Sequence, residues 1–174
     1  MSDHAGTPTS ITTWYLEMTS PDALRPRTPA RDDATIAPVD PPWPQLSRFL
    51  YTVVGAPWHW VDRLRWTDAE WLDALSRSGV ETWLLTAAGL PAGFFELDDR
   101  SGDVEIAYFG LVPRFTGQGL GGHLLTAAVQ RAWTLGAHRV WLHTCSLDHP
   151  NALANYQARG FRVYDRNTVE RLVP

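Results

Sequence analysis

Apolar and polar positions along the chain fall into short alternating segments and a few stretches of helical spacing. Ile11 to Met18 mixes β-branched and aromatic residues and predicts a first strand. Gln45 to Val54 carries Leu46, Phe49, Leu50 and Val53 on one face of a helix. Thr67-Asp68-Ala69-Glu70 is a capping box, predicting a helix to Ser78 that Gly79 stops. Thr82 to Ala87, Ala92 to Leu97 and Val104 to Val112 are strand-like. Turn signals separate them at Gly89-Leu90-Pro91 and at Asp98 to Asp103. A Gly-rich loop and an amphipathic helix to Leu135 follow, ended by Gly136. His138 to Thr144 is a strand and Pro150 to Ala158 a helix closed by Gly160. Phe161 to Asp165 and Thr168 to Leu172 are closing strands. Hairpins first and a strand–helix–strand unit after predict an α/β (α+β) fold in a single domain over 11–174. Residues 1–10 are expected to be a flexible polar start.

Proline changes one part of this picture. Eight of the thirteen prolines lie between Pro8 and Pro44, so Thr19 to Pro44 is expected to be a long extended connection with little regular structure. The pattern alone leaves open whether it orders only on binding.

Composition removes several functions. The formal net charge of −4 argues against non-specific nucleic-acid binding, which needs a basic footprint. The apolar runs are too short for a membrane span, and the polar start has no signal-peptide pattern. A lone cysteine, Cys145, forms no internal disulfide, and a cytoplasmic setting is the expectation. No metal is expected, since the six His and one Cys form no Cys-x-x-Cys or His-Glu-x-x-His spacing. All fifteen basic side chains are Arg, which excludes Schiff-base, P-loop and general-base lysine chemistry. Of the nine Trp, those at 14, 83, 133 and 141 fall on predicted elements as framework. Trp58, Trp60, Trp66 and Trp71 cluster instead around His59, while Trp43 stays unassigned.

The chemistry lies in Val112-Pro113-Arg114-Phe115-Thr116-Gly117-Gln118-Gly119-Leu120-Gly121-Gly122, between a strand and a helix. Glycine lets the backbone approach an anion, and the free amides and dipole of the helix start favour a pyrophosphate there. Gly117-x-Gly119-x-x-Gly122 also matches the dinucleotide fingerprint. That fingerprint usually opens a parallel sheet, whereas this loop follows antiparallel strands. No acidic residue closes the next strand at the expected offset.

The better resemblance is to the GNAT superfamily of N-acetyltransferases. It rests on Gly110 to Gly121 with His123-Leu124-Leu125, and on Ala152-Leu153-Ala154-Asn155-Tyr156-Gln157-Ala158-Arg159-Gly160-Phe161. The resemblance implies a mixed, mostly antiparallel central sheet flanked by helices, and acetyl-CoA as co-substrate. It implies that Gly110, Leu111 and Val112 pair with the pantetheine arm and offer an amide to the thioester carbonyl. Arg114, Gly117, Gln118, Gly119, Leu120, Gly121, Gly122, His123 and Asn151 would hold the remainder of the cofactor. Thr116 stands where the family usually has Arg or Gln, so the pyrophosphate would lean on backbone amides. His149 stands where it often has Asn.

The resemblance also implies direct transfer, with Tyr156 as general acid beside the sulfur and a strand carboxylate as base. Glu105 lies fourteen residues before Gly119, an offset similar to that in members using a strand Glu. Glu96 and His143 are its rivals. Trp58, Trp60, Trp66, Glu96 and His143 are the acceptor-side candidates, for a small-molecule amine. A protein or peptide amine and a CoA-binding module without turnover remain open, as does a homodimer.

Overall fold

The computed structural model describes residues 7–173. Among these, a seven-stranded sheet has the order β2-β3-β4-β5-β6-β1-β7, with four α-helices. The strands are β1 (Thr7–Met18), β2 (Thr35–Pro38), β3 (Val80–Ala87), β4 (Leu90–Arg100), β5 (Asp103–Leu111), β6 (Arg139–Cys145) and β7 (Arg162–Val173). The helices are α1 (Pro44–Gly55), α2 (Asp68–Leu75), α3 (Leu120–Thr134) and α4 (Ala152–Ala158). Every neighbouring pair is antiparallel except β5 and β6, which α3 joins as a crossover. This is the expected α+β architecture. No helix among the described residues is long and apolar enough to cross a membrane.

The sheet is covered on both faces. On one, Leu124, Leu125, Ala128, Val129 and Ala132 of α3 pack on Phe95, Leu97, Val104, Ile106, Val140 and Leu142, and Tyr156 and Phe161 extend the core. On the other, Leu50 and Val54 of α1 meet Phe94, while Tyr51 packs with Trp71 and Leu75 of α2. α2 opens on the predicted capping box: Thr67 Oγ1 accepts from Glu70 N–H, and the Glu70 carboxylate accepts from Thr67 N–H at 2.7 Å.

Three local expectations change. β1 begins at Thr7, within the expected flexible start, and residues 1–6 lie outside the described part. In the sheet β1 lies between β6 and β7. β7 is one strand where two were expected, because β1 gives it a continuous partner from Thr7 to Glu17 across a bulge at Tyr15/Leu16. α2 ends at Leu75, short of Ser78.

The proline-rich connection is largely irregular yet tied down. Arg25 N–H donates to Arg159 C=O at 2.9 Å and Arg27 N–H to Thr126 Oγ1 at 2.9 Å. Asp33 binds Arg31 and accepts from Ala88 N–H, β2 then pairs with β3, and Val39 N–H donates to Thr82 C=O. The connection thus runs across the first turns of α3 and the end of α4. Gly160 makes the close approach available. Its φ is +106°, and a β-carbon there would strike Ala23 C=O. Gly160→Ala is expected to destabilise the protein by about 1–3 kcal/mol in urea unfolding. An unchanged midpoint would mean that the connection is not seated on α4.

Candidate active site

The site begins where the sheet comes apart. β5 and β6 pair only through Asp103↔Arg139, Val104↔Val140 and Glu105↔Trp141. β5 then bulges: Ile106 pairs with Leu97 and Tyr108 with Glu96, leaving Ala107 without a partner on β4. Beyond the bulge Tyr108 faces α1, with its ring 5.3 Å from Tyr51, while Phe109 faces α4, 5.9 Å from Tyr156. The parting opens a cleft of about 970 Å³ lined from both faces of the sheet. Tyr51, Trp58, His59, Trp60, Asp62 and Tyr108 line one side. Gly117, Gly121, Gly122, Asn151, Asn155 and Tyr156 line the other, with His143 and Cys145 on the far strand.

The Gly-rich loop leaves β5 through a 3-10 turn at Pro113–Phe115 and enters α3 at Gly119, whose φ of +75° is left-handed. No side chain caps α3, so its first amides stay available. A β-carbon at Gly119 would lie 2.7 Å from Ala30 Cβ, and one at Gly121 would lie 3.7 Å from Asn155 Nδ2 and 3.8 Å from Leu111 Cδ1. This is a backbone cradle with room for an anion and little room for side chains.

The structure sorts the cofactor candidates by what their atoms already do. Val112 N–H donates to Ala92 C=O at 2.8 Å, so alternation along β5 turns Gly110 toward β4 as well. The Leu111 amide points into the gap that β6 has left. Leu120 is fully buried in the core and offers only its backbone. The Gln118 side chain accepts from Arg31 Nη1 at 2.7 Å and donates to Arg114 C=O at 2.9 Å, so it braces the loop rather than facing a ligand. Arg114 is exposed, with its guanidinium over the Phe115 ring, and neither it nor His123 lines the cleft. Asn151 lines the cleft at the start of α4. Asn155, which the sequence reading passed over, lines it too. The available signal was its place beside Tyr156 in the second motif.

The two carboxylates differ sharply. Glu96 is buried, and both its oxygens accept from Arg63, at 2.8 and 2.9 Å. Arg63 in turn lies over the rings of Tyr108, Trp66 and Trp71. Glu96 and Trp66 therefore build the frame behind the cleft and do not line it. Glu105 sits at the last β5–β6 pair, 3.4 Å from His143 Nδ1. It does not line the cleft, whereas His143 does. Glu105 raises the His143 pKa above its usual value, against the lowering effect of burial. Burial, then the Asp148 charge, pushes the phenol of Tyr156 well above its ordinary range. Burial drives Tyr108 up to about 12, so it is no base at neutral pH. The Cys145 thiol is also raised, chiefly by burial and then by Asp148, so it stays a thiol.

The aromatic segment between α1 and α2 closes the cleft. Trp60 is held by Tyr51, Tyr108 and Phe94, and Trp58 meets His149 edge-on at 5.1 Å. His149 Nδ1 accepts from Asn151 N–H at 3.0 Å, fixing the start of α4. His149 thus has a structural use at the position where the resemblance led one to expect Asn. Trp71 is buried and packs against Trp66, as framework. Among the described residues no group of three His, Cys, Asp or Glu is arranged as metal ligands.

Comparison with known proteins agrees with this geometry. Residues 43–161 match the family model described as Acetyltransferase (GNAT) family. A curated mycothiol acetyltransferase from Corynebacterium aurimucosum is 32% identical over 112 residues, 60% of this chain and 36% of that one. The crystal structure of a GCN5-related N-acetyltransferase from Sphaerobacter thermophilus superposes with a TM-score of 0.73 at 18% identity. It covers 96% of this chain and 52% of its own. A GNAT family acetyltransferase from Elizabethkingia anophelis, with acetyl-CoA bound, has a TM-score of 0.56 at 23% identity, covering 78% of this chain and 80% of that one. The chain thus spans about a third of the curated relative and about half of the Sphaerobacter structure.

The division between the carboxylates is measurable. Glu96→Gln is expected to cost about 3 kcal/mol or more in urea unfolding, because it strips a buried guanidinium of its counter-charge. Glu105→Gln should cost under about 1 kcal/mol, since its partner is half-exposed. Equal losses would contradict the assignment of Glu96 to the frame.

Proposed function

The chain belongs to the GNAT acetyltransferase family, and from that premise we propose that it moves an acetyl group from acetyl-CoA to a primary amine of a small molecule, by direct transfer. The observation that carries this reading is a single cleft joining the glycine cradle, Tyr156, His143 and an aromatic wall. The residues fit coenzyme A: a cradle where β-carbons would intrude, free amides at a helix start, and an unpaired strand edge. When bound, acetyl-CoA supplies the acetyl group as a thioester.

The chain's own groups divide the work. The amides from Gly117 to Gly122 hold the diphosphate. The Leu111 amide donates to the thioester carbonyl oxygen and stabilises the charge that develops there. Neutral His143 takes a proton from the acceptor ammonium, directly or through a water, and Glu105 holds the ring and stabilises the imidazolium. Glu105 acts through His143, because His143 is the one that lines the cleft. Tyr156 keeps its proton at any working pH and donates a hydrogen bond to the departing sulfur. Cys145 stays protonated, which favours direct transfer over a route through an acyl-thioester on the chain.

The acceptor wall suits a cation. Trp58, Trp60 and Tyr108 present rings and Asp62 a carboxylate on the same side of the cleft. The cleft volume falls within the small-molecule range, and the curated relative is a mycothiol acetyltransferase, which supports a small acceptor over a protein.

A panel of amines assayed for CoA thiol release tests the reading. Turnover is expected with small cationic or aromatic amines. Tight acetyl-CoA binding with no acceptor-dependent release would instead identify a CoA-binding module, and release only with peptides would move the acceptor class. The pH profile tests the base. His143 is raised in pKa and must be neutral to act, so kcat/KM is expected to climb with pH through a limb above the usual imidazole value of about 6.5. Glu105→Gln removes the cause of the shift, so the limb should move to lower pH while kcat falls. A limb that does not move would sever Glu105 from the base.

A further inference from the structure

The cleft runs on past His143 across β6, β1 and β7. Tyr15 and Thr13 of β1 pair with His143 and Cys145 of β6, and Thr9, further out on the same face of β1, pairs with Arg171 of β7. Helix α1 packs on β4 and β5 and α2 on β3, which leaves this part of the face open among the described residues. It forms a floor leading outward from His143, and Tyr15, Thr13, Cys145 and Arg171 all line the cleft. Among the described lining residues three carry a fixed charge, Asp62, Asp148 and Arg171, and Arg171 is the one cation. Asp148 is engaged: its Oδ2 accepts from Thr144 Oγ1 at 2.6 Å and from Cys145 N–H at 2.8 Å. Arg171 is exposed and, among the described residues, meets neither Asp148 nor any other carboxylate. Its charge reaches back to the floor. The Cys145 thiol, raised chiefly by burial and then by Asp148, is lowered in part by Arg171.

These charges give the cleft a polarity. A guanidinium without a partner offers a planar fork to an acid. Arg171 is remote from the glycine cradle, which lies at the start of α3 on the opposite face of the sheet, whereas Arg171 stands on the His143 face two strands beyond β6. The acid it meets therefore belongs to the acceptor rather than to the donor. An acid beside Asp62 or Asp148 would be repelled, so Arg171 is the place on the cleft wall where an acceptor can carry one. A single guanidinium balances a single carboxylate, while a phosphate dianion would keep a surplus charge near Asp148. Cys145 lies about 7 Å along β6 from His143, and register sets Arg171 further out still, so several bonds separate the amine from the acid. We infer that the acceptor is an amine that also bears a carboxylate, held by Arg171 at the outer end of the floor while the amine meets His143. The inference rests on the acetyl-transfer reading above and names its acceptor class.

CoA thiol release tests it with β-alanine, γ-aminobutyrate and ε-aminocaproate, each set against the alkylamine that lacks its carboxyl group. The unaltered protein is expected to favour the acid-bearing member of at least one pair by about tenfold or more in kcat/KM. Arg171→Gln should lower that ratio about tenfold, chiefly through a higher KM for the amino acid. The same pair is compared in both proteins, so the differing basicity of the two amines cancels. Equal use of both members of every pair overturns the inference. So does a preference that Arg171→Gln leaves unchanged, because the arginine would then not hold the acid. Either result with plain amines still acetylated leaves the acetyltransferase reading standing, whereas acetyl-CoA binding with no thiol release in any pair overturns both.

Discussion

Everything in the site follows from one short pairing. β5 and β6 run parallel in an otherwise antiparallel sheet, and they hold together for three residue pairs only. α3 crosses between them, and the bulge at Ala107 turns β5 away before a longer ladder can form. A sheet normally separates its two faces. Here the parting lets groups from both faces reach one cavity. Tyr156 comes from the α3 and α4 side, Tyr108 from the α1 and α2 side, and His143 from the strand left behind. The unpaired strand edges are what an extended ligand arm can complete, which is why the break in the sheet is proposed to receive the donor.

A break of this kind needs rigid walls, and the charges supply them unequally. The Arg63–Glu96 pair is buried under three aromatic rings and fixes α2 and the aromatic segment against β4. Glu105, on the neighbouring strand, stands where the ladder ends and meets only a half-exposed histidine. Two carboxylates on adjacent strands thus differ in use, one spent on the frame and one left to raise the pKa of a histidine at the cleft. The difference comes from their neighbours, Arg63 in one case and His143 in the other.

Much of this was legible in the residues. The alternation of strands and the capping box at Thr67 carried the fold class, and the Gly117–Gly122 loop marked the uncapped start of α3 beside the cleft. Tyr156, which the resemblance singled out, lines the cleft. What stayed hidden depends on contacts between distant segments. Nothing near Glu96 marks it as taken, because Arg63 is brought to it by tertiary packing. Periodicity does not reveal that the first strand enters between β6 and β7. A proline-rich stretch resembles a loose linker until Gly160 and Thr126 are seen to anchor it. Backbone direction was equally invisible: of Gly110, Leu111 and Val112, only Leu111 turns its amide into the gap, and register decides that.

Hydrogen–deuterium exchange with and without acetyl-CoA tests the central claim, that the gap between β5 and β6 receives the donor. The account predicts new protection at the Leu111 amide and along Gly117 to Gly122, with β1, β7 and the Val112 amide, already bonded to Ala92, little changed. Protection absent from β5 and the loop, or concentrated on β1 and β7, would contradict it.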